Sequence, residues 1–390
     1  MKTFIEAQTI VFSSATLMET EHVELSEALG RILAGTVIAD ADMPPFSRSA
    51  MDGYACHAGD QDMPLEIIDE IPAGKFPEKK IRKGQCAKIM TGAPVPDGSD
   101  MVIRVEDMEI NDDGRVVIHV KGKVSNIRLQ GEDFRKDEKV ILPGQRINKQ
   151  HIGIMAMAGH TKPVVYKQPS VGIITTGAEL VPADRTPERS QIRNSNGPQL
   201  MAQVMDLGLK GKDYGNVTDD PERIREVILR AVNQHSVVLI SGGVSAGDYD
   251  FVPDILRETG MDIRLHKMKV RPGKPLLFAV NHNSFVFGIP GNPVSTFVQF
   301  ECLIKPFLLK LMGNTIFEKR YPMYMGEDYR HVESELQFFI PVRFTERGVF
   351  TLSYHGSGHL TSYVNADGIL EIPPGKTFIK KGELVHVRPV

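Results

Sequence analysis

The chain has 390 residues, a formal net charge of −3 at pH 7, 41% hydrophobic residues and 24% charged residues. This composition excludes a wholly disordered, collagen-like or coiled-coil protein, and at roughly 150 residues per domain the length predicts two to four domains. The slightly acidic balance also argues against a general role in binding nucleic acid or membrane surfaces.

The first third of the chain predicts helices followed by a small β module. Apolar spacing across 24–32 is helical, and the first forty residues are therefore expected to form helices. Pro44 and Pro45 end this pattern, because proline cannot continue a helix. From about 65 to 130, short apolar runs between turn residues predict strands. Apolar residues at 147–158 predict a short helix that packs back on the N-terminal helices.

Strand and helix patterns alternate from 169 to about 312. Continuous apolar runs at 171–174 and 237–240 predict buried strands, and helices are expected over 198–207 and after Asp220-Pro221. Such alternation is typical of a mostly parallel sheet covered by helices on both faces. In that architecture ligands bind beyond the carboxyl ends of the strands. The remaining residues, 313–390, predict short strands and a second small β module.

The loop SGGVSAGDYD at 241–250 lies between a predicted strand and a predicted helix. Its glycines allow the backbone to approach a ligand, and the helix start favours anions. The spacing matches neither a dinucleotide-binding fingerprint nor a P-loop. We favour a loop that binds phosphate or a pterin over a simple tight turn. Helix capping is the alternative role for its aspartates, Asp248 and Asp250.

Several carboxylates flank the same predicted strands. Glu179 ends the first strand–helix turn, and Asp219 and Asp220 open a helix. Two carboxylates about 4 Å apart repel by roughly 4 kcal/mol at an effective dielectric constant near 20. If these groups and Asp250 converge at one sheet edge, they need Mg²⁺, nearby lysines or raised pKa values. A magnesium site is therefore one hypothesis for this edge.

Two further loops are candidate anion sites. The segment KMKVRPGK at 267–274 carries four cations beside the predicted strands 276–280 and 285–288, which would hold them on a rigid edge. Cations held in this way suit a phosphate or another oxyanion, whereas most charge runs are merely solvated. The turn GIPGNPVS at 288–295 opens a predicted long helix over 294–311. Its spacing fits an anion site and a purely structural turn equally well.

Cysteine and histidine usage excludes other classes of protein. The three cysteines lie far apart in the sequence, so neither a zinc ribbon nor a disulfide framework is expected. Reduced thiols, the lack of a signal-peptide pattern and the lack of a long apolar run predict a cytoplasmic protein without a membrane span. The histidines show no H-E-x-x-H spacing, which disfavours a zinc enzyme. The sequence also has no G-x-S-x-G elbow, the motif expected of a serine hydrolase.

Taken together, seven motifs resemble the MoeA-type molybdopterin molybdenumtransferases, a family that includes the C-terminal domain of gephyrin. They follow one another in order along essentially the whole chain. The motifs are PPFSRSAMDGYA at 44–55, MTGAPVPDGSDMVIRVED at 90–107, GEDF at 131–134, TTGAEL at 175–180, SGGVSAGDYDF at 241–251, RPGKP at 271–275 and GIPGNPVS at 288–295.

The resemblance implies a multidomain α/β plus β protein. An elongated, partly helical domain comprises 1–41 and 134–168, with a β module inserted at 42–133. A three-layer α/β domain with a mostly parallel sheet, at 169–312, binds molybdopterin, and a C-terminal β-barrel occupies 313–390. The resemblance also implies a homodimer whose active site lies between the α/β domain of one subunit and the β module of the other.

The implied reaction inserts molybdate into adenylylated molybdopterin, with Mg²⁺-dependent cleavage of the phosphoanhydride and release of AMP. The adenylylated pterin would be handed over by an adenylyltransferase. Two alternatives stay open: that the chain is itself this adenylyltransferase, which the flanking domains disfavour, or that it is a non-catalytic scaffold or cofactor carrier of the gephyrin type, which the intact acidic set disfavours. Molybdate and tungstate are too alike in size and charge for the sequence to distinguish them.

The resemblance also assigns residues by motif. Asp52 and Thr91 are the contributions of the partner subunit, and Asp133, Glu179, Asp219 and Asp250 are the functional carboxylates, of which the last three are metal ligands. By the same resemblance Arg271 and Lys274 contact phosphate or molybdate, Pro290 and Pro293 shape the pocket, and Ser357 or Ser362 is the contribution of the C-terminal domain. The candidate loops add further substrate-binding residues: Ser241, Gly242, Gly243, Ser245, Lys267 and Ser295.

Two positions depart from the family pattern. Position 271 is arginine where many relatives carry lysine, which keeps the charge but changes its geometry. Pro341 stands where an arginine is expected in the C-terminal domain, and Arg343 lies nearby.

Overall fold

The structure is a computed structural model that describes residues 1–121, 124–244, 251–316, 318–330, 334–354, 356 and 358–390. The helices within these residues are α1 (Phe4–Ser13), α2 (Lys149–Met157), α3 (Asn196–Asp206), α4 (Pro221–Gln234), α5 (Val252–Glu258), α6 (Pro293–Gln299) and α7 (Lys305–Leu311). The strands of the first half are β1 (Thr20–His22), β2 (Val37–Ile38), β3 (Arg48–Ser49), β4 (Gly53–Cys56), β5 (Glu66–Ile71), β6 (Gln85–Ile89), β7 (Met101–Arg104), β8 (Met108–Ile110), β9 (Val116–Ile118), β10 (Ile127–Arg128), β11 (Lys139–Ile141), β12 (Val164–Tyr166), β13 (Val171–Thr176), β14 (Leu180–Val181) and β15 (Ile192–Arg193). Those of the second half are β16 (Gly211–Val217), β17 (Val237–Ser241), β18 (Asp262–Lys267), β19 (Val270–Arg271), β20 (Pro275–Val280), β21 (Phe285–Ile289), β22 (Tyr321–Tyr324), β23 (Tyr329–Arg330), β24 (Gln337–Thr345), β25 (Gly348–Thr351), β26 (Gly368–Ile372), β27 (Phe378–Ile379) and β28 (Leu384–Pro389).

The N-terminal segment is less helical than its spacing predicts. Helix α1 begins at a capping box formed by Thr3 and Glu6. The prediction of a helix over 24–32 is wrong, because the only helical turn that the chain forms there is a 3₁₀ turn, Leu25–Glu27. Ile32 and Leu33 are buried by isolated bridges to the distant Arg146 and Val165, so pairing with the 139–166 region satisfies the apolar residues that suggested a helix face.

Residues 134–168 return to this N-terminal segment. Strand β11 pairs with β2 and β12 pairs with β1, all antiparallel. The short helix expected at 147–158 is confirmed as α2, and its Met155 is buried in one cluster with Ala28, Leu33 and Ile147. The strands expected between 65 and 130 are also confirmed, and β5, β6, β4 and β7 form one sheet in that order.

The α/β region is built on a sheet with the order β16-β13-β17-β21-β20-β18. The first four strands are parallel, and β20 and β18 run antiparallel to their neighbours. Successive strand residues point to opposite faces, so Ile173 and Leu239 pack with α3 and α7, whereas Ile174 and Ile240 pack with α4 and α5. The predicted sheet with helices on both faces is therefore present.

The long helix expected over 294–311 is continuous but changes its pitch. A π-helical segment, Phe300–Ile304, joins α6 to α7 and is buried throughout. Pro306 has no N–H for the carbonyl four residues earlier, and its ring would clash with that carbonyl in a regular α-helix. Widening the preceding turn removes this conflict, and the Lys305 N–H donates to the Phe300 carbonyl instead.

The C-terminal residues form a sheet that extends back to the α/β region. Its strand order is β19-β24-β26-β28-β22, and β25 pairs with β24. An isolated bridge between Met325 and Val349 joins the end of β22 to β25, so these strands form a ring. Strand β19 lies in the α/β region and pairs in parallel with β24. No helix in the described part of the chain is long and apolar enough to cross a bilayer.

Candidate active site

The carboxyl ends of four parallel strands meet at one edge of the central sheet. Strands β16, β13, β17 and β21 end there, and the antiparallel β20 begins there. At about 4.8 Å between neighbouring strands, β13 and β20 are only ~14 Å apart across this edge. The loops that carry the predicted acidic, glycine-rich and cationic motifs therefore share one rim.

A cleft of about 460 Å³ opens at this rim. We name three of the segments around it: the glycine turn (242–244), the cationic loop (267–274) and the proline turn (290–293). The residues that line the cleft are Gly243 and Val244, residues 270–275, residues 290–292, Ser295, Leu336 and Tyr354. Since Leu336 and Tyr354 belong to the C-terminal region, that region closes one side of the cleft.

Two charges of the cationic loop, those of Arg271 and Lys274, have no acidic partner in the described part of the chain, whereas Lys269 pairs with Glu335 at 3.0 Å. Arg271 and Lys274 are exposed and line the cleft, and neither makes an ion pair within the described residues. The Arg271 guanidinium lies 5.9 Å from the centre of the Phe338 ring, which supports it by a cation–π contact. Lys267 is half-buried at the end of β18 and does not line the cleft. Two cations are thus held at the cleft without an acidic partner among the residues described.

Two predicted carboxylates lie together at the end of β13. The Ala178 N–H donates to Oδ2 of Asp219 over 3.0 Å. The Glu179 carboxylate folds back over Gly177, where an added Cβ would lie 2.8 Å from Oε2. The neighbouring Asp220 has a different task, since its side chain caps α4 by accepting from the Glu222 N–H at 3.0 Å.

A complete metal cluster is not visible in the part of the chain that the structure describes, where no three His, Cys, Asp or Glu side chains come together. Glu179 and Asp219 supply two hard oxygen donors at one turn. Asp250, the third predicted ligand, lies outside the described residues, as do Asp248 and Ser245.

The glycine turn is shaped by the backbone it crosses. Gly242 has a φ of +100°, and an added Cβ would lie 2.4 Å from the Thr176 carbonyl oxygen, so no other residue fits without a shift. Ser241 is buried, and its hydroxyl accepts from the Asn196 side chain at 2.8 Å and lies 3.4 Å from the Pro290 carbonyl. The Ser241 side chain is therefore engaged within the protein, whereas Gly243 lines the cleft.

The proline turn is fixed from both sides. The Pro290 carbonyl accepts from the Thr296 hydroxyl at 2.8 Å, and Pro293 is the first residue of α6. Ser295 lies in the first turn of α6, is buried, and lines the cleft. The structure therefore brings Pro290 and Ser295 to the cleft beside Arg271 and Lys274.

The β module holds Asp52 and Thr91 together at its surface. Oδ1 of Asp52 accepts from the Thr91 N–H at 2.7 Å and from the Thr91 hydroxyl at 2.8 Å. These two hydrogen bonds, the backbone one foremost, lower the pKa of Asp52. No hydrogen bond or ion pair of the described residues links this pair to the sheet edge. Asp133 is also exposed, and its N–H donates to the Met43 carbonyl at 3.0 Å.

The serines predicted in the C-terminal region do not line the cleft in the described residues. Ser362 is buried, and its hydroxyl donates to the His359 carbonyl over 2.6 Å. Ser357 lies outside the described residues. Pro341 is buried within β24, and the exposed Arg343 does not line the cleft.

Sequence reasoning missed Tyr354 and Asn196. Tyr354 lies three residues before Ser357, and burial raises the pKa of its phenol. Asn196 opens α3 immediately before a glycine, and no spacing in the sequence indicates which loops it contacts.

A larger cavity of about 770 Å³ lies away from this edge, between Arg146, Asn314 and Arg388. Its buried charges are already paired: Lys305 contacts Glu301 at 2.8 Å, and Arg388 contacts Glu371 at 3.1 Å. Free cations and carboxylates at strand ends make the smaller cleft the candidate active site.

Three family models match most of the chain. Family models match residues 2–159 as the MoeA N-terminal region (domain I and II), residues 172–310 as a probable molybdopterin binding domain, and residues 330–390 as the MoeA C-terminal region (domain IV).

Individual relatives agree with these matches. The chain is 32% identical to a molybdopterin molybdenumtransferase of Staphylococcus epidermidis over 94% of this chain and 90% of that protein. It is 30% identical to one of Staphylococcus aureus, over 98% and 94% respectively. A crystal structure of a molybdopterin biosynthesis MoeA protein from Pyrococcus horikoshii superposes with a TM-score of 0.86, 29% identity and full coverage of both chains.

Proposed function

Because the chain belongs to the MoeA family of molybdopterin molybdenumtransferases, and is thus a transferase of molybdenum cofactor biosynthesis, we propose that it inserts molybdate into adenylylated molybdopterin and releases AMP. One observation carries this proposal. Arg271 and Lys274 face a cleft and have no acidic partner within the described ranges of the chain, and they lie at the same sheet edge as the carboxylates of Glu179 and Asp219. Such a rim suits a reaction that brings two anionic reactants together.

The cationic side of the cleft binds the anionic reactants. Arg271 offers a planar pair of donors to an oxyanion, and Lys274 adds a second positive charge. The Ser295 hydroxyl also lines the cleft and donates to a further anionic oxygen. Water attacks the phosphoanhydride of the adenylylated pterin, a new P–O bond forms as the bridging P–O bond breaks, and AMP leaves. One molybdate oxygen leaves as water with the two dithiol protons when the sulfurs bind the metal, so the water balances. The cationic donors stabilise the charge on the phosphate oxygens.

The acidic side fits a magnesium ion. Glu179 and Asp219 would hold Mg²⁺, with Asp250 as a third ligand by family resemblance, and two hard carboxylate donors suit an ion that keeps waters and substrate phosphates as its other ligands. When bound, the ion neutralises phosphate charge. The Ala178 N–H fixes one oxygen of Asp219, which leaves the other oxygen free to bind.

The β module supplies Asp52 and Thr91 to the cleft of a second subunit in a homodimer. Both side chains are exposed and locked together by two hydrogen bonds, yet no described contact ties them to their own sheet edge. A preformed polar pair of this kind is ready to complete a site on a partner chain. We place Asp133 among the functional carboxylates by the same family resemblance.

The proposal includes the four domains at the boundaries given above and a cytoplasmic location. The adenylylated pterin is handed over by an adenylyltransferase. Molybdate is the metal oxyanion we assign, with tungstate as the competing substrate to be compared.

The test is release of AMP from adenylylated molybdopterin in the presence of Mg²⁺ and molybdate. Asp219→Ala and Asp220→Ala form a matched pair of neighbouring carboxylates. Asp219→Ala is expected to lower AMP release by on the order of 100-fold. Asp220→Ala removes only a helix cap, so it is expected to cost about 0.5–2 kcal/mol of stability and to retain the activity. Equal activity of the two variants would contradict the assignment of Asp219.

The same assay separates the alternative functions. An adenylyltransferase would form the adenylylated pterin from ATP instead of consuming it, and a scaffold or carrier would bind the pterin without releasing AMP. Either result with the wild-type protein refutes the proposed reaction.

Mixed dimers test the shared site. Asp52→Ala and Asp219→Ala are each expected to be inactive as homodimers. If each site combines Asp52 of one subunit with Asp219 of the other, co-expression of the two variants restores about a quarter of wild-type activity, since half of the dimers are mixed and contain one intact site. An inactive mixture that contains mixed dimers would place the site within one chain.

A further inference from the structure

We infer that Asn196 is a positioning residue that fixes the glycine turn and the proline turn relative to each other across the cleft. The inference rests on the proposed function and deepens it. It names a residue that touches neither reactant but sets the separation of the two walls that bind them.

The Asn196 side chain contacts both the strand end that leads into the glycine turn and the proline turn itself. Its Nδ2 donates to the Ser241 hydroxyl at 2.8 Å and to the Gly291 carbonyl at 2.8 Å. Ser241 is the last residue of β17 and leads into the glycine turn, whereas Gly291 lies in the proline turn and lines the cleft. One amide group therefore joins two loops that are 50 residues apart in the sequence and face the same ligand space.

The chemistry of the contact requires an amide. The Gly291 carbonyl can only accept a hydrogen bond, so the group opposite it must donate. An amide nitrogen has two protons, and Asn196 uses both of them. An aspartate of the same shape would place a carboxylate oxygen against the Gly291 carbonyl and would bury a charge.

The amide oxygen of Asn196, Oδ1, shows which way the side chain is oriented. Asn196 is 7% exposed, and its Oδ1 is buried without a hydrogen-bond partner among the residues that the structure describes. A flipped amide would direct Oδ1 at the Gly291 carbonyl, so the orientation is fixed.

The position of the turns controls the reacting groups. The glycine turn and the proline turn form two walls of the cleft, and the cationic loop forms a third. A displacement of about 1 Å between a bound reactant and its catalytic partners lowers rates by on the order of 100-fold. Loss of the Asn196 bridge is therefore expected to lower kcat more than it raises KM.

Asn194 provides a matched control two residues away. Its Nδ2 donates to the Thr175 hydroxyl at 2.8 Å, and its Oδ1 accepts from the Gly197 N–H at 3.1 Å. Like Asn196, it makes two hydrogen bonds at the start of α3. Neither of them reaches the glycine turn or the proline turn, so an alanine at 194 should perturb the fold locally without uncoupling those turns.

The experiment compares Asn196→Ala, Asn196→Asp and Asn194→Ala at a temperature where all three are folded. We expect kcat for AMP release to fall 10- to 100-fold in both Asn196 variants with a smaller change in KM, and hydrogen exchange to rise at 241–244 and 289–292 together. Asn194→Ala should show neither effect. Equal kcat and exchange in Asn194→Ala and Asn196→Ala would overturn the inference.

The two readouts separate this inference from the proposed function. Hydrogen exchange is measured on the protein without any substrate. If the wild-type protein fails to release AMP, the proposed reaction is refuted, whereas coupled exchange at the two turns still supports Asn196 as their link. If AMP is released and exchange at the two turns is unaffected by Asn196→Ala, the inference alone fails.

Discussion

Replacing Gly273 with alanine tests whether the cationic loop is held by its backbone geometry. Gly273 is buried in the loop between Arg271 and Lys274 and has a φ of +96°. An added Cβ would lie 2.6 Å from Nε2 and 3.0 Å from Cγ of Gln299. The Gln299 side chain is fully buried, and Nε2 donates to the carbonyls of Gly273 and Pro275, so it cannot move away without losing both bonds.

The cost follows from two separate effects. A residue with a side chain in the left-handed region loses about 1–2 kcal/mol. Displacement of Gln299 leaves buried carbonyls without a donor, which costs about 1–3 kcal/mol. We therefore expect Gly273→Ala to lower the free energy of unfolding by about 2–5 kcal/mol, and to lower AMP release because Arg271 and Lys274 are carried by the same loop.

Urea unfolding followed by circular dichroism measures the change, since the chain has no tryptophan to serve as a fluorescent probe. Gly291→Ala is the matched control in the same cleft, because a Cβ there meets no heavy atom within 4 Å. It should change stability by less than about 0.5 kcal/mol. The double variant Gly273→Ala/Gln299→Ala lacks the overlapping side chain, so the two substitutions should couple by more than about 0.5 kcal/mol.

Two results would refute this reasoning. A Gly273→Ala protein as stable as Gly291→Ala would mean that the loop adapts to a side chain at no cost. Strict additivity of Gly273→Ala and Gln299→Ala would mean that the two residues do not contact each other as described.

Burial raises the pKa of three thiols to about 12, those of Cys56, Cys86 and Cys302. Iodoacetamide at pH 8 should therefore label none of them before urea unfolds the chain, and stoichiometric labelling of native protein would contradict their burial. Hydrogen bonds from Thr91 hold the pKa of Asp52 below its ordinary value of 3.8, so their stabilising effect is complete above that value and is lost as the pH falls through the lower, folded pKa. Thr91→Val removes only the hydroxyl donor and should raise the pKa of Asp52 towards 3.8 in a carboxyl NMR titration; an unchanged pKa would exclude a role for the hydroxyl. Arg388 is buried against Glu371 and Glu318, which Arg320 also contacts, so Arg388→Met should cost about 1.5–3 kcal/mol in urea unfolding; a loss below about 1 kcal/mol would show that Arg320 alone balances the two carboxylates.

The α/β region was predictable because its signals are local. Continuous apolar strands and Asp220-Pro221 at a helix start determine the element order, and the rule for parallel sheets then places the loops at one edge. Glu179 and Lys274 could be assigned to that edge before their contacts were known, because each directly precedes a strand, and Arg271 followed from its place in the same short loop as Lys274.

What the sequence did not reveal depends on contacts between distant segments. The helix expected over 24–32 is replaced by pairing with residues more than a hundred positions later, and local spacing carries no information on such partners. Tyr354 reaches the cleft from the C-terminal region, and Asn196 bridges two loops through its amide. Ser362, in contrast, matches a motif yet donates to its own turn.

The pairing of β19 with β24 has a consequence for the order in which the protein matures. The backbone of Lys269 is bound on one side by Lys2, at 2.7 Å, and on the other by Gln337, at 3.0 Å, so the first and the last parts of the chain enclose the cationic loop. A nascent chain that still lacks β24 already contains every residue of the central sheet. It lacks the strand that pairs with β19 and thereby holds Arg271 in place. If Arg271 binds an oxyanion as proposed, we expect this competence to be acquired only near the end of synthesis, after the C-terminal sheet has left the ribosome.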